Sequence, residues 1–399
     1  MRRKYLLSFI LAGLIISNCS NPKDLKVIEN PTSIESSLPR LFTDNSGTVF
    51  MSWVEQSEGK TTLLYSKFSD NSWRDPVEVA QSNEWFVNWA DFPSIIAENG
   101  NPMSVHWLKK IPGNTYSYNV EVASFVKGRI SKPIVPHNDE TATEHGFVSM
   151  VPVSDTSYYA IWLDGRNTGS TGHKEHGVLS SSMSLRGAQL TVLGKTLSEA
   201  EIDSSVCDCC NTSIAKTNNG LIAAYRNRTK NEVRDIYITK TIDGVWQKPI
   251  PVHNDNWKIA ACPVNGPAID VFDKTVSVAW FTGVDDKPKV KLSFSLDEGN
   301  SFLPAIDIDS TSVLGRVDII ANDNNSSWIS WITRVDDEAQ LRLRLISSTG
   351  KSLENHIITK MSPSRSSGFP QITKIENGVL IAWTDLSDSG KSIKTAILQ

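Results

Sequence analysis

Seven segments of similar length follow one another along this 399-residue chain. In each, a short strand-like stretch and a turn rich in Asn, Asp or Gly lead to an apolar stretch that ends in an aromatic residue. These aromatic residues, 51 to 63 positions apart, are Trp53, Trp107, Trp162, Tyr225, Trp280, Trp331 and Trp383. A repeat of this length is typical of architectures in which each unit buries its apolar face only against its neighbours.

The residue pattern inside a unit is that of β-strands. Residues 275–280 and 289–294 alternate along the chain and include β-branched and aromatic types, which is the period of a strand. About four such strands fit into roughly 50 residues, the size of one blade of a β-propeller. We therefore predict an all-β chain that forms a β-propeller of four-stranded antiparallel blades. Seven blades are favoured, and six blades with one aberrant unit are the alternative.

The two ends of the chain complement each other. The last unit has room for only three strands before Gln399, whereas Lys26-Val27-Ile28 stands alone before the first unit. We expect this N-terminal strand to complete the last blade, because a closed ring leaves no open strand edge. Residues 26–399 are thus predicted to form one domain.

The first 18 residues have the features of a secretory signal peptide. Basic residues at positions 2–4 precede an apolar run over 5–16, which is too short to span a bilayer comfortably. The sequence Ile16-Ser17-Asn18-Cys19 resembles the lipobox of bacterial lipoproteins, in which the cysteine becomes the lipidated first residue. We expect a signal peptide at 1–18, a tether at 19–25 and a lipid on Cys19, with simple secretion as the alternative. The protein would then be exported and held at the periplasmic or outer-membrane surface by the lipid alone.

The charge balance bears on the partners. The chain has 40 Lys and Arg against 44 Asp and Glu, with no basic run beyond the first four positions. Because binding to phosphates needs a basic face, a nucleic-acid partner is excluded. We expect a monomer.

One segment identifies a family. Ser295, Asp297, Gly299 and Phe302 have the spacing Ser-x-Asp-x-Gly-x-x-Phe, which resembles the Asp box of the BNR repeats in sialidases and related propellers. Poorer copies lie at 69–73 and 242–246. The resemblance covers nearly the whole mature chain and implies a sialidase-like propeller. In that family the box is a structural turn on the face opposite the active site, so it implies a fold rather than an activity.

The strand order divides the connections between two faces. The turns after the first and third strands of each unit are short. The connections after the second and fourth strands lie on the other face, which we call the long-loop face. They include residues 82–91, 137–146, 164–177, 200–210, 226–235 and 253–265. Because functional residues on rigid scaffolds concentrate in such loops, we place the site here, at the mouth of the central channel.

Four cysteines form the first candidate site. Cys207, Cys209 and Cys210 precede the inner strand of the fourth unit, and Cys262 precedes that of the fifth, so they should be neighbours. In an oxidising compartment an even number of cysteines favours disulfides, with Cys207 or Cys209 bridged to Cys262, or with a strained bond between the adjacent Cys209 and Cys210. The alternatives are a thiolate site for a soft ion such as Cu(I) or Zn(II), redox-active thiols, or unpaired inert thiols.

The resemblance to sialidases implies a second site. In sialidases three arginines grip the substrate carboxylate, a tyrosine assisted by a glutamate is the nucleophile, and an aspartate is the acid/base. By position, these roles fall to Arg40, Arg226 and Arg316, to Tyr225, and to Asp164. Tyr225 has a second interpretation, as the residue that replaces Trp in the fourth unit.

Further residues of the long-loop face are candidate ligand-binding groups. They are Arg166, Arg228, Arg234, Asp235, Asn265, Asp318 and Trp89. Several arginines at one channel mouth would suit an anionic ligand, because guanidinium groups form bidentate pairs with carboxylates. The alternative is that Arg234–Asp235 and Asp164–Arg166 are ion pairs that hold loops in place.

Histidines form the third candidate. His145, His173 and His176 accompany Glu144 and Glu175, a set that could hold a metal or belong to a solvated loop. The sequence His-Asn-Asp recurs at 137–139 and 253–255, and its recurrence at equivalent positions indicates a structural turn.

These observations predict an exported, sialidase-like propeller lipoprotein that binds or hydrolyses an acidic glycan or another small anion. If it is an enzyme, it would be a glycoside hydrolase of the exo-α-sialidase type, with no required cofactor. The alternatives are a non-catalytic binding scaffold and a soft-metal or thiol site built from the cysteines.

Overall fold

The computed structural model describes residues 24–113, 115–168, 182–387 and 390–399. Seven antiparallel sheets, one for each sequence repeat, are arranged in a ring. The prediction of an all-β, seven-bladed propeller is confirmed. The predicted signal peptide at 1–18, Cys19 and the residues His173, Glu175 and His176 lie outside the described residues.

The first four blades follow one another along the chain. Blade 1 contains β2 (Ser36–Thr43), β3 (Val49–Ser57), β4 (Lys60–Ser69), β5 (Ser72–Trp73) and β6 (Val77–Ser82), and blade 2 contains β7 (Trp85–Phe86), β8 (Ser94–Glu98), β9 (Asn101–Lys110), β10 (Tyr118–Val126) and β11 (Arg129–Ile130). Blade 3 contains β12 (His145–Ser154), β13 (Ser157–Asp164), β14 (Met183–Thr191) and β15 (Thr196–Val206), and blade 4 contains β16 (Ser213–Thr217), β17 (Gly220–Arg226), β18 (Ile236–Ile242), β19 (Val245–Trp246) and β20 (Ile250–Pro251).

The last three blades complete the ring. Their strands are β21 (Ala268–Phe272), β22 (Thr275–Thr282), β23 (Lys289–Ser295) and β24 (Ile306–Asp309) in blade 5; β25 (Val313–Asp323), β26 (Ser326–Val335), β27 (Glu338–Ser347) and β28 (Ser352–Met361) in blade 6; and β29 (Gln371–Ile375), β30 (Gly378–Ser387), β31 (Gly390–Leu398) and β1 (Leu25–Ile28) in blade 7. The 3-10 helices Val284–Asp286 and Arg365–Ser367 lie in connections. No helix among the described residues is long and apolar enough to cross a membrane.

The N-terminal strand closes the ring, as predicted. Strand β1 pairs antiparallel with β31, with Leu25 opposite Leu398 and Ile28 opposite Thr395. The innermost strands β2, β8, β12, β16, β21, β25 and β29 contact one another in cyclic order. The first and last segments of the chain are therefore joined in one blade, and β31 has no free edge along this segment.

The seven repeated aromatic residues lie in the second strand of each blade and are buried. Six of them donate a hydrogen bond to a carboxylate: Trp53 to Glu55, Trp107 to Glu121, Trp162 to Asp164, Tyr225 to Asp203, Trp280 to Asp255 and Trp331 to Asp309. A buried indole N–H needs an acceptor, because an unpaired polar group is costly in an apolar core. Six of the seven repeats therefore contain a packed aromatic ring and a carboxylate that accepts the hydrogen bond from its N–H or O–H group.

The Asp-box segment forms the turn that its resemblance implied. The Asp297 carboxylate accepts hydrogen bonds from the Ser301 backbone N–H at 2.9 Å and from the Ser295 hydroxyl at 2.7 Å. The Gly299 N–H donates to the Ser295 hydroxyl, with Gly299 at φ +78°, where glycine is favoured. Phe302 packs against the apolar core shared by blades 4 and 5. The box is thus a structural turn between β23 and β24.

Candidate functional site

Side chains fill the axis of the ring on the long-loop face. Trp89, between β7 and β8 of blade 2, stacks on Phe369 at the start of blade 7, with ring centroids 5.6 Å apart. The neighbouring Ala90 carbonyl accepts a hydrogen bond from the Asn211 side chain at the start of blade 4. These contacts join blade 2 to blades 7 and 4, so side chains of several blades pack together on this face.

Three of the four cysteines lie in this packed region. The Sγ atoms of Cys207, Cys209 and Cys210, in the connection from β15 to β16, all lie within 4.8 Å of one another. Cys207 and Cys210 are 1% and 2% exposed. Cys262 is partly buried and packs against the same apolar cluster. We call these four residues the thiol cluster.

The disulfide expected between Cys262 and Cys207 or Cys209 is not formed. None of the four cysteines forms a disulfide bond in the structure, and Cys207 and Cys210 are hydrogen-bonded, with Sγ atoms 3.5 Å apart. Spacing along the chain placed the cysteines together correctly, but it could not show which sulfurs approach one another. Side-chain direction in the loop decides that pairing.

The thiol cluster has an asymmetric charge environment. Arg234, which is 1% exposed, donates a hydrogen bond from Nη1 to Cys207 Sγ at 3.3 Å. Hydrogen bonds from the Cys209 and Cys210 thiols, together with the positive charge of Arg234, hold the pKa of Cys207 well below its ordinary value. Burial, and then the hydrogen bond to Cys207, raise the pKa of Cys210 to about 12. The cluster is therefore suited to hold one negative charge, on Cys207.

Ion pairs fix the loop that carries the cysteines. The Asp208 carboxylate accepts hydrogen bonds from the Met183 N–H at 3.0 Å and from Arg228 at 2.9 Å. Glu232 accepts hydrogen bonds from both Arg228 and Arg234, each at 2.7 Å. Arg228 and Arg234, predicted as ligand-binding residues, are thus paired within the protein.

The predicted Arg234–Asp235 ion pair does not form. Asp235 instead accepts the backbone N–H groups of Asn256 and Trp257, at 2.9 and 3.0 Å, and Glu232 is the carboxylate partner of Arg234. Adjacent residues of an extended segment point in opposite directions, so neighbours in sequence are not neighbours in space here. The loop-holding alternative is therefore wrong for this pair, although Asp235 and Glu232 each hold a loop through other partners.

Two arginines of the predicted triad are committed to the backbone. The Arg226 guanidinium donates to the carbonyls of Asn265, Phe281 and Arg234 at 2.7–2.8 Å. Arg226 is 2% exposed, and Arg316 is 5% exposed. Arg316 donates to the Ser364 carbonyl at 2.8 Å and lies over the Trp89 ring, 5.0 Å from its centroid. A substrate carboxylate would have to displace these bonds, so the structure does not support their assignment to substrate binding.

Asn265 and Trp89 have structural contacts of their own. The Asn265 side-chain oxygen accepts a hydrogen bond from the backbone N–H of Arg316 at 2.7 Å. The backbone of Arg316 has φ +54°, in the left-handed region. Trp89 lies beneath the guanidinium groups of Arg316 and Arg365. The two predicted ligand-binding residues therefore support the packed mouth of the ring.

Arg40 and Asp318 lie on the innermost strands of blades 1 and 6. Asp318 accepts the backbone N–H of Ile372 in the next blade at 2.8 Å. Burial raises the pKa of Asp318 to about 6, although the positive charge of Arg40 opposes the shift. Asp270 makes the equivalent bond to Ala321 one blade earlier, and burial raises its pKa to about 6 as well. The axial carboxylates therefore join neighbouring blades.

Asp164 and Arg166 form an ion pair in blade 3, as the loop-holding alternative predicted. Arg166 donates to both oxygens of Asp164, each at 2.8 Å, and Asp164 is fully buried. Although burial opposes the shift, these bonds lower the pKa of Asp164. The carboxylate also accepts the indole N–H of Trp162. Asp164 is thus saturated with donors rather than positioned to exchange a proton.

Tyr225 had two interpretations from the sequence, as the nucleophile and as the residue that replaces Trp in the fourth unit. Tyr225 is fully buried and bonded to Asp203, in the place of the other units' tryptophans, so the structure supports the second interpretation of this residue. Sequence reasoning missed a Tyr–Glu pair, in which the Tyr118 hydroxyl donates to Glu144. Tyr118 is also fully buried. These buried tyrosines are not available as nucleophiles for a substrate at the surface.

His137, Asp139 and His145 form a second cluster with metal-ligand atoms, all within 4.8 Å of one another. The two imidazole rings stack with centroids 3.9 Å apart, and Asp139 bonds to each, at 2.7 and 3.1 Å. Burial, and then the charge of His145, lower the pKa of His137 to about 4. Arg166 lies 3.5 Å from Asp139. The carboxylate of this cluster is thus already paired with a cation, as Cys207 is with Arg234.

The recurrent His-Asn-Asp sequence is a structural feature, as predicted. His137 lies 6.0 Å from the Trp162 ring, and His253 lies 6.3 Å from the Trp280 ring, with closely similar tilts. Asp255 bonds to Lys291 at 2.6 Å, as Asp139 pairs with Arg166. The same turn therefore covers the tryptophan of blades 3 and 5.

Comparisons place the chain among β-propellers of known structure. No protein-family model and no curated protein sequence matches it. A protein of unknown function from Dyadobacter fermentans has 10% identity and a TM-score of 0.53, over 94% of this chain and 97% of that one.

Sialidases are also among the solved structures that this chain matches. A Hadza microbial sialidase has 11% identity and a TM-score of 0.46, over 91% of this chain and 65% of that one. The sialidase of Trypanosoma rangeli has 8% identity and a TM-score of 0.44, over 92% and 55%. At such identities the likeness concerns the fold alone.

Proposed function

We propose that this propeller binds a soft metal ion, Cu(I) or Zn(II), through Cys207, Cys209 and Cys210 at the axis of its long-loop face. The observation that carries the proposal is the convergence of three Sγ atoms within 4.8 Å. Thiolates are preferred ligands of soft and borderline ions. The site needs little rearrangement, because Asp208 and its two partners already anchor the loop.

The ligand chemistry follows from the charge on Cys207. This sulfur is the first ligand, since Arg234 and the neighbouring thiols stabilise its thiolate form. Binding of a metal at Cys209 and Cys210 requires loss of their protons, so affinity rises with pH. Cys262, in contact with the same cluster, is available as a fourth ligand.

A metal titration of the reduced protein tests the proposal. Purified protein is titrated with Cu(I), and separately with Zn(II), against a chromophoric chelator, and native mass spectrometry counts bound ions. We expect one ion per chain, and at least a tenfold loss of affinity in Cys207→Ser and in Cys210→Ser. Ser204→Ala, an exposed residue three positions from Cys207, is the control. Equal affinity of all variants, or no retained ion, would contradict the proposal.

A second candidate function rests on Arg40. No hydrogen bond joins its guanidinium to another residue within the described ranges, and it lies part-buried near the Asp318 carboxylate. We propose that it holds an acidic glycan or another small anion without hydrolysing it, since Arg226 and Arg316 are committed to carbonyls. Sialic acid should bind the wild type and fail to bind Arg40→Ala in calorimetry. Turnover of a fluorogenic sialoside by the wild type would refute the non-hydrolytic part.

We further propose that the chain is exported and lipidated at Cys19. The N-terminal sequence supports this, through its basic start, apolar run and lipobox-like end. Metabolic labelling with an alkyne fatty acid in a bacterial host should label the wild type and Cys262→Ser but not Cys19→Ala. Labelling that persists in Cys19→Ala would contradict the proposal.

A further inference from the structure

Cys207 and Cys210 form a Cys-x-x-Cys pair within the thiol cluster. Their sulfurs are 3.5 Å apart and hydrogen-bonded, whereas a disulfide bond is about 2.05 Å long. A shift of about 1.5 Å would therefore join them covalently. Both side chains are almost fully buried in the same loop, so no blade has to move.

Arg234 makes the two sulfurs unequal. Its guanidinium donates to Cys207 Sγ, and Glu232 holds it in that position through a bond of 2.7 Å. A thiolate is the nucleophile in thiol–disulfide exchange, and a neighbouring cation stabilises it. Cys207 is therefore the stronger nucleophile of the pair.

The outer cysteines provide a route to this buried pair. Cys262 is the most exposed member of the cluster, and it interacts with Cys209. Cys209 in turn interacts with both Cys207 and Cys210. The four sulfurs thus form a continuous series from the partly exposed Cys262 to the buried pair.

We propose that the thiol cluster is a thiol–disulfide exchange relay, in which small-molecule disulfides oxidise Cys262 and Cys209 and the disulfide is passed inward to Cys207 and Cys210. The metal ion and the inner disulfide would then exclude each other, because oxidation removes two of the three ligands. This last statement rests on the proposed metal site, whereas the relay itself does not.

Each step forms one S–S bond and breaks one. The Cys262 thiolate attacks a disulfide RSSR and releases RS⁻, and the Cys209 thiolate displaces the second RS⁻ from the mixed disulfide. The Cys207 thiolate then attacks Cys209 Sγ and releases the Cys262 thiolate. Finally, Cys210 attacks Cys207 Sγ and releases the Cys209 thiolate. In total, one RSSR is reduced to two RSH, and two protein thiols are oxidised.

Disulfide mapping of the full chain tests the relay. Reduced, metal-free protein reacts with hydroxyethyl disulfide, free thiols are blocked with iodoacetamide, and the peptides are analysed by mass spectrometry. Cleavage before Asp208 separates Cys207 from Cys209 and Cys210, so a link between the two peptides is detected directly. Fragmentation then assigns it to Cys209 or Cys210.

We expect a transient Cys209–Cys262 link that is replaced by a stable Cys207–Cys210 link. Cys210→Ser should stop the relay at the Cys207–Cys209 or Cys209–Cys262 stage. Arg234→Gln should slow formation of the inner link by about tenfold, because the attacking thiolate loses its cation, and Ser204→Ala should react like the wild type. Dithiothreitol should restore all four thiols.

The proposal is overturned if the four cysteines remain reduced, or if the final link joins Cys209 and Cys262 with no inner disulfide. These outcomes are separate from failure of the metal site. Reduced protein that forms the inner disulfide but binds no metal would refute the metal proposal alone. Reduced protein that binds metal but resists hydroxyethyl disulfide would refute the relay alone.

Discussion

At the scale of single residues, four arginines of the long-loop face are occupied by the protein itself. Arg226 and Arg316 donate to main-chain carbonyls, and Arg228 and Arg234 share Glu232. A buried guanidinium has five donors that must be satisfied, and the ends of strands and loops supply free carbonyls for them. Arginine in this protein therefore mainly stabilises connections between blades.

The axial carboxylate of Asp318 gives a prediction of pH dependence. Its pKa in the folded state is raised by burial to about 6, above the ordinary value of 3.8. The ionised form of Asp318 therefore lowers the free energy of unfolding. This loss is absent below about pH 4 and grows as the pH rises to about 6. A shift of about two pKa units corresponds to at most about 3 kcal/mol.

Asp318→Asn should accordingly raise the free energy of unfolding at pH 8 and leave it almost unchanged at pH 4, because the amide oxygen can still accept the Ile372 N–H. Urea unfolding at the two pH values measures this. Asp309→Asn is the control of opposite sign, because hydrogen bonds from Thr333 and Thr311 lower the pKa of Asp309 although burial opposes them. Equal effects of Asp318→Asn at both pH values would contradict the prediction.

At the scale of elements, the second strand of each blade carries the repeated aromatic residue. Each ring fills the interior of its blade, and in six blades its polar atom bonds to a carboxylate. Because the acceptor comes from different places along the chain, such as Glu55 two residues on or Asp309 on the preceding blade's outer strand, no single motif describes it. The packing position recurs, and the polar partner varies.

Tyr225→Phe distinguishes a structural tyrosine from a catalytic one. The variant keeps the buried ring but removes the hydroxyl bonded to Asp203 at 2.6 Å. Loss of a hydrogen bond to a charged group should lower the free energy of unfolding by about 2 kcal/mol, while metal and anion binding remain unchanged. Tyr65→Phe, whose ring packs against Phe50 and Phe125, should be nearly neutral. Unchanged stability with lost binding in Tyr225→Phe would reverse the assignment.

At the scale of the whole molecule, the ring is closed by pairing its two ends. Strand β1 covers β31, and the Asn30 side chain and the Thr395 hydroxyl add hydrogen bonds at the same seam. An uncovered β31 would present free N–H and C=O groups along an apolar blade. Closure therefore stabilises blade 7 and also prevents edge-to-edge association.

Deletion of residues 1–30 should expose this edge. We expect a lower thermal midpoint and concentration-dependent association, because another chain can pair with β31. Light scattering and thermal unfolding measure the two effects. Deletion of residues 1–23 leaves β1 in place and is the matched control. A monomeric 31–399 chain with the same thermal midpoint as the control would show that β1 is dispensable.

The architecture could be predicted because it depends on local, repeated signals. Alternation of side chains determines the two faces of each strand, and turn residues mark where strands end. The recurrence of Trp53, Trp107 and the later aromatic residues gives the number of blades. The closing strand at 26–28 was predicted by the same count, since a blade with three strands lacks its fourth. These features require no knowledge of contacts between distant residues.

The site depended on tertiary contacts that no local pattern contains. The order of the blades along the sequence predicted that the four cysteines are neighbours. It could not predict the distance of 3.5 Å between Cys207 Sγ and Cys210 Sγ. The sequence showed arginines on the long-loop face, but not that their guanidinium groups point to carbonyls and to a thiol rather than to solvent. Side-chain direction in loops is set by packing between blades. The sequence by itself thus determined a closed seven-bladed ring with the four cysteines as neighbours, and only the tertiary structure decided which sulfurs approach one another and which groups the arginines contact.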